Sequence, residues 1–118
     1  MGSGHALGRS GEEAAVCYLK KKKYQILERG FRFHRGEIDI IALDRGTLVF
    51  VEVKTRASDE FGQPEEAVTP AKQAQLRRLA EAYLAIKNLS GMACRFDILS
   101  LVAESDTSYR VQHFQDAF

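Results

Sequence analysis

Two apolar strands joined by a tight turn constrain this chain more than any other feature. Glu37 to Leu43 and Thr47 to Lys54 are rich in Ile and Val, with Asp44, Arg45 and Gly46 between them. That pattern predicts a β-hairpin. With Arg45 and Gly46 as a two-residue turn, Asp44 faces Thr47 and the pairing of every later residue is fixed. Asp39 then stands opposite Glu52, and Glu37 opposite Lys54. Directly opposed residues have Cβ atoms about 4.5–5.5 Å apart. Alternation along each strand places all four on one face of the hairpin.

Charges at these positions need a reason. Ile38, Ile40, Ile41, Val49, Phe50, Val51 and Val53 are apolar at successive positions, the mark of an interior strand covered on both faces. Two opposed carboxylates in such a strand repel each other, and burial adds to the cost. A shared divalent cation resolves the conflict, since Mg²⁺ takes oxygen ligands at about 2.0–2.1 Å. Lys54, two residues beyond Glu52, brings a positive charge to the same face. There it can orient or deprotonate an attacking water, or stabilise charge developing on a phosphate. The alternative is a lattice of cross-strand ion pairs on a solvated sheet face.

The rest of the chain supplies a frame. Ser10 is expected to cap a first helix, with Glu12 and Glu13 in its first turn and an apolar stripe through Ala14, Ala15, Cys17, Tyr18 and Leu19 to about Lys22. Gln25 to Phe33 alternates as a first strand, with a bulge expected at Gly30. Arg56 to Val68, polar and carrying Gly62 and Pro64, is expected as a surface loop. Its acids Asp59, Glu60, Glu65 and Glu66 would suit a lid or a partner surface. Thr69-Pro70 opens a second helix running to about Asn88, with Leu76, Leu79, Tyr83 and Ile86 buried and Gly91 beyond its end. Phe96 to Val102 and Tyr109 to Phe114 close the chain as strands. The order is α-β-β-β-α-β-β, and a mixed sheet flanked by two helices is its natural packing. Residues 1–9 read as a flexible tail ahead of a single domain, 10–118.

Length and composition exclude several classes. A chain of 118 residues holds one domain. No apolar run is long enough for a membrane span, and the N-terminus lacks a secretory signal, so a cytoplasmic location is expected. Cys17 and Cys94 form no CxxC pair, and are expected to act as small, half-buried hydrophobes. Net charge is +1, yet residues 1–56 hold eleven Lys/Arg against seven Asp/Glu while residues 57–118 hold six against nine. One face can therefore bind phosphate although the whole molecule is not basic.

The motifs now form a recognisable set. Glu12, Gly36-Glu37-Ile38-Asp39 and Val51-Glu52-Val53-Lys54-Thr55-Arg56 resemble the PD-(D/E)xK nuclease superfamily. More closely, the chain resembles the YraN-type uncharacterised bacterial family, which is similar to archaeal Holliday-junction resolvases. Gly11-Glu12-Glu13-Ala14, Tyr18-Leu19, Phe61-Gly62-Gln63-Pro64, Val68, Lys72 and Ala82-Tyr83-Leu84 carry the likeness over nearly the whole length. Gly36-Glu37-Ile38 precedes Asp39 where the superfamily's name places Pro.

The resemblance implies a restriction-endonuclease-like fold and a metal-dependent nuclease, a hydrolase using Mg²⁺ or Mn²⁺ on DNA, with branched or junction DNA as a candidate substrate. Asp39 and Glu52 match its metal ligands, Lys54 its catalytic lysine, and Glu12 the additional acid that completes such sites. Read without the resemblance, Glu12 is a helix N-terminal acid favoured by the macrodipole. Glu37 would support Lys54, and Glu13 would be structural. The alternative function is a nucleic-acid-binding module whose nuclease site is vestigial or partner-dependent. A homodimer is expected because a junction has two symmetric cuts; no protein partner is specified.

Arg32, Arg35, Thr55 and Arg56 cluster in sequence around these residues and are expected to hold flanking phosphates, with Lys72, Gln73 and Arg77 on the second helix contributing. Arg29 belongs to the same basic cluster. Lys20 to Lys23 reads as a solvated helix end. No aromatic stacking platform is evident: Phe31, Phe33 and Phe96 are expected in the core, and His34 in a loop.

Overall fold

The computed structural model describes residues 3–57, 68–106 and 108–118, with side chains from Ser10 onward. The expected order of elements is the one observed. Helix α1 (Ser3–Lys21) precedes strands β1 (Gln25–Phe33), β2 (Gly36–Asp44) and β3 (Thr47–Arg56); helix α2 (Pro70–Ile86) is followed by β4 (Cys94–Ala103) and β5 (Tyr109–Phe114). The five strands form one sheet in the order β1-β2-β3-β4-β5. Every neighbouring pair is antiparallel except β3 and β4, which run parallel on either side of α2. The expected acidic loop falls largely on 58–67, outside the described residues.

The β2–β3 turn forms as the sequence dictates. Arg45 and Gly46 both take positive φ, 49° and 87°, the two-residue geometry whose twist matches a hairpin. The register Asp44↔Thr47 through Ile40↔Val51 follows from it.

Each face of the sheet carries its own core. On the α1 side, Ala15, Val16 and Leu19 pack against Ile40, Ala42, Val49, Val51, Leu99 and Leu101. On the α2 side, Leu76, Leu79, Ala80 and Tyr83 cover Ile38, Ile41, Leu48, Phe50, Phe96 and Ile98. The interior strands are thus apolar on both faces because both faces are covered.

Four local expectations are corrected. Helix α1 begins at Ser3, so Ser10 lies inside it and not at its cap; interior glycines are tolerated in a helix at about 0.5–1 kcal/mol each relative to Ala. The β1 bulge falls between Ile26 and Glu28, not at Gly30. Helix α2 ends at Ile86, which is 57% exposed. Asn88, at φ 57°, takes the left-handed position past its end, while Leu89 N–H donates to the Leu84 carbonyl at 2.8 Å and Asn88 N–H to Ala85 at 3.2 Å. That is a Schellman closure, reached before Gly91. Cys17 and Cys94 are both free and exposed.

The α2 start is as expected: the Thr69 side chain accepts the Lys72 N–H at 3.2 Å, and Pro70 opens the first turn. Gly11 has a different role. A Cβ there would run into the Thr55 side chain, so the missing side chain lets α1 lie against the end of β3. Gly11→Ala is expected to destabilise the fold by about 1–3 kcal/mol through overpacking. Urea unfolding reads this as a lower midpoint at unchanged slope. An unchanged midpoint would show that α1 can shift freely on β3.

Candidate functional site

The site lies where β2 and β3 part. Their ladder ends at Ile40↔Val51, one step short of the Asp39/Glu52 pair expected from the turn. The cause is local. Side-chain alternation along β2 breaks between Ile38, which packs on the α2 side, and Ile40, which packs on the α1 side. Gly30 on β1, with φ 64°, stands between the partners of those two residues. At this break the Asp39 carboxylate does the work of a main-chain carbonyl, its Oδ2 accepting the Val53 N–H at 2.8 Å. The expected meeting with Glu52 survives as a side-chain contact.

The pair is electrostatically strained. Burial first, and the Glu52 carboxylate second, push Asp39 up to about 7, against the Val53 N–H that favours its ionised form. Glu52 is only 8% exposed, and its Oε2 is buried with no hydrogen-bond partner among the described residues. A buried carboxylate oxygen without a donor is costly and calls for a further partner. Two hard oxygen donors in this state fit a hard divalent cation, Mg²⁺ or Mn²⁺. Asp39 and Glu52 are the residues that would hold it.

Glu12 approaches Asp39 from α1. Partial burial, followed by the negative charge of Asp39, raises its carboxyl above the ordinary range. Because α1 begins at Ser3, Glu12 sits deep in the helix. The macrodipole, which acts within the first turn, does not account for an acid there. Among the described residues, however, no three His, Cys, Asp or Glu side chains are arranged to hold one ion. Glu12 stands near Asp39 without completing a ligand set among the described residues.

The other expected residues divide. Lys54 is half-buried on β3, in register with Ser100 of β4, and two residues beyond Glu52. Glu37 does not pair with it; its Oε2 lies 3.6 Å from Arg32 Nε, across the β1–β2 ladder. Arg35 is exposed at the β1–β2 hairpin, while Thr55 is half-buried beneath Gly11 and Arg56 follows it at the strand end. Lys72 sits in the first turn of α2, and Gln73 donates to the Val68 carbonyl at 3.1 Å. Arg77 lies over Phe96 and Phe118, its guanidinium 5.0 and 5.6 Å from their ring centres. Glu13 pairs with Arg29 at 2.8 Å on the surface.

The family model for the uncharacterised protein family UPF0102 matches residues 11–101. The chain belongs to this family. It is 50% identical over 111 residues to a UPF0102 protein of Chlorobium phaeobacteroides (strain BS1), covering 94% of this chain and 88% of that one. A UPF0102 protein of Geotalea uraniireducens (strain Rf4) is 47% identical over 113 residues, covering 96% and 89%. The UPF0102 match takes in Glu12, Asp39, Glu52 and Lys54. Among the described residues, no helix is long and apolar enough to cross a membrane.

A polar cluster that the sequence reading missed lies on the α1 face of this UPF0102 chain. Asp97, 0% exposed, accepts from Arg95 Nε at 3.0 Å and from the Asp116 N–H at 3.0 Å, and lies 2.7 Å from His113 Nε2. Arg95 continues to Asp44 at 3.1 Å and to the Tyr24 hydroxyl at 2.6 Å, while Tyr18 meets His113 Nδ1 at 3.2 Å. Burial alone would raise the Asp97 carboxyl; the His113, Arg95 and Asp116 hydrogen bonds outweigh it and hold Asp97 below its ordinary range. The signal was available: Asp97 stands in the apolar run Phe96-Asp97-Ile98-Leu99, as Asp39 and Glu52 do in theirs. The cluster ties α1, the end of β2, β4 and the C-terminus together.

Proposed function

We propose that this chain is a Mg²⁺- or Mn²⁺-dependent phosphodiesterase of the cytoplasm that cuts DNA, with branched or junction DNA as its substrate. The observation that carries this reading is the buried Asp39/Glu52 pair, whose Glu52 Oε2 has no hydrogen-bond partner among the described residues, at the point where two strands separate. The chain's likeness to the PD-(D/E)xK nucleases at Glu12, Asp39, Glu52 and Lys54 supports it. When bound, the cation would supply a Lewis acid for the phosphoryl oxygen and the attacking water. Asp39 and Glu52 hold and orient that centre, with the Val53 N–H fixing the Asp39 carboxylate. The ammonium of Lys54 orients the attacking water and stabilises negative charge on the phosphate. Arg32, Arg35, Arg56 and Lys72 are placed along the same end of the sheet and helix, where they neutralise flanking phosphates. A homodimer would present two such sites to a junction.

One observation favours a second reading. With no complete ligand set among the described residues, the chain could bind DNA and cut only when a partner or substrate draws Glu12 in. Both readings are tested by incubating purified protein with labelled linear, flapped and four-way-junction DNA under Mg²⁺, Mn²⁺ or EDTA. The first predicts metal-dependent cutting, slowed about 10²–10³-fold by Lys54→Ala, the loss typical of one charge-stabilising donor. Salt-dependent binding without cutting would support the second. Neither binding nor cutting would remove both.

A further inference from the structure

The β1–β2 hairpin and α2 enclose a cavity of about 240 Å³. Its walls are Phe33, His34 and Arg35 on one side and Gln75, Arg78 and Leu79 on the other. Phe33, expected in the core, is 38% exposed, because β1 runs past the cover that α2 provides. Its ring meets that of His34 edge-on at 4.3 Å, and two aromatic groups therefore stand together at the surface. Arg35 and Arg78 are exposed, and among the described residues neither has a carboxylate partner. The cavity thus joins an aromatic face, two guanidinium groups and the amide of Gln75.

We infer that this cavity receives one unpaired nucleobase of a DNA strand engaged at the Asp39/Glu52 site. The inference rests on the proposed function and names the feature of the substrate that would be read. Size favours a single ring system: the volume is about eight times the ~30 Å³ share of one water, and below the ~300–1,000 Å³ of clefts for drug-sized ligands. Chemistry favours a base, whose π-face stacks on an aromatic side chain and whose polar edge suits an amide. The two guanidiniums suit the phosphates on either side of it. Position favours the same strand that is cut. Gly36, at the start of β2, borders the cavity and lies three residues before Asp39, roughly 10 Å at a strand's rise. The cavity opens on the α2 side of the sheet, the side to which alternation from Leu48 and Phe50 directs Glu52 and Lys54. A base held in a duplex is stacked and paired, and entering the cavity would cost a few kcal/mol for its extrusion; an unpaired base at a flap or branch point enters without that cost. Branched DNA is selected over plain duplex by this difference.

Binding in EDTA separates recognition from cutting. The probes are a DNA duplex and the same duplex carrying a short flap with 2-aminopurine at its first unpaired position. The wild type should bind the flap about tenfold more tightly than the duplex, the scale of one base–aromatic stack. The 2-aminopurine emission should be quenched on binding. Phe33→Ala should erase both the preference and the quenching while leaving duplex affinity and melting temperature unchanged. Phe33→Tyr should restore them. Equal affinity for the two probes, or quenching untouched by Phe33→Ala, would overturn the inference and leave the nuclease reading standing. Failure to bind any DNA would overturn both.

Discussion

Asp39→Asn is expected to abolish metal-dependent cleavage, by more than about 10³-fold, while making the metal-free protein more stable near neutral pH. The rate loss follows from removing a ligand to the ion that would supply several kcal/mol of transition-state stabilisation. The stability gain follows from the pair's own repulsion. Asp39 has an ordinary value of 3.8 and is pushed up to about 7 in the folded chain, by burial and then by Glu52. Below about pH 4 it is protonated in folded and unfolded chains alike. Between about pH 4 and 7 the unfolded chain releases a proton that the folded chain retains, and stability falls as pH rises, by at most about 4 kcal/mol. Asparagine removes this dependence and still offers an oxygen to the Val53 N–H. Thermal unfolding at about pH 5 and pH 8 checks it: the wild type should lose stability across that interval more than Asp39→Asn does. Added Mg²⁺ should restore the wild type at the higher pH and leave the variant unmoved. Parallel pH profiles for the two proteins would show that the pair is not strained.

Asp97→Ala should produce the largest loss of folding stability, about 3–5 kcal/mol, the cost of removing one partner from a buried ionic network. It leaves His113 without its carboxylate and Arg95 with Asp44 and Tyr24 alone. Because the Asp97 carboxyl lies below its ordinary range, its contribution is fully present above about pH 4 and is lost as pH falls through the folded-state value. Urea unfolding of the variant at neutral pH gives the number directly. A loss under about 1 kcal/mol would mean that water or a neighbouring group replaces the carboxylate.

The difference between what the sequence discloses and what it withholds follows the range of the interactions. The β2–β3 register is legible because a two-residue turn fixes it and each later pair is local. Asp39, Glu52 and Lys54 stand out because a charge inside an apolar run has to be explained. The break in β2 at Asp39 is not legible. It depends on Gly30 of the neighbouring strand and on a carboxylate bonding to Val53, fourteen positions away. The polar cluster is long-range too: Arg95 reaches Asp44 across 51 positions and Tyr24 across 71. Alternation alone placed Phe33 in the core, since the length of α2's cover is set by packing and not by β1's own pattern. Glu12 reads as a first-turn acid only if α1 begins at Ser10, and the helix instead begins at Ser3.

A calorimetric titration of the metal-free protein with Mn²⁺ near neutral pH, repeated in two buffers of different ionisation heat, tests the central claim most directly. Saturable binding accompanied by proton release is expected, as the ion displaces the proton that Asp39 retains. Binding should vanish in Asp39→Asn and persist in Glu13→Gln, whose carboxylate pairs with Arg29 on the surface. No binding to the wild type, or equal binding to Asp39→Asn, would contradict the assignment of this site to a metal ion.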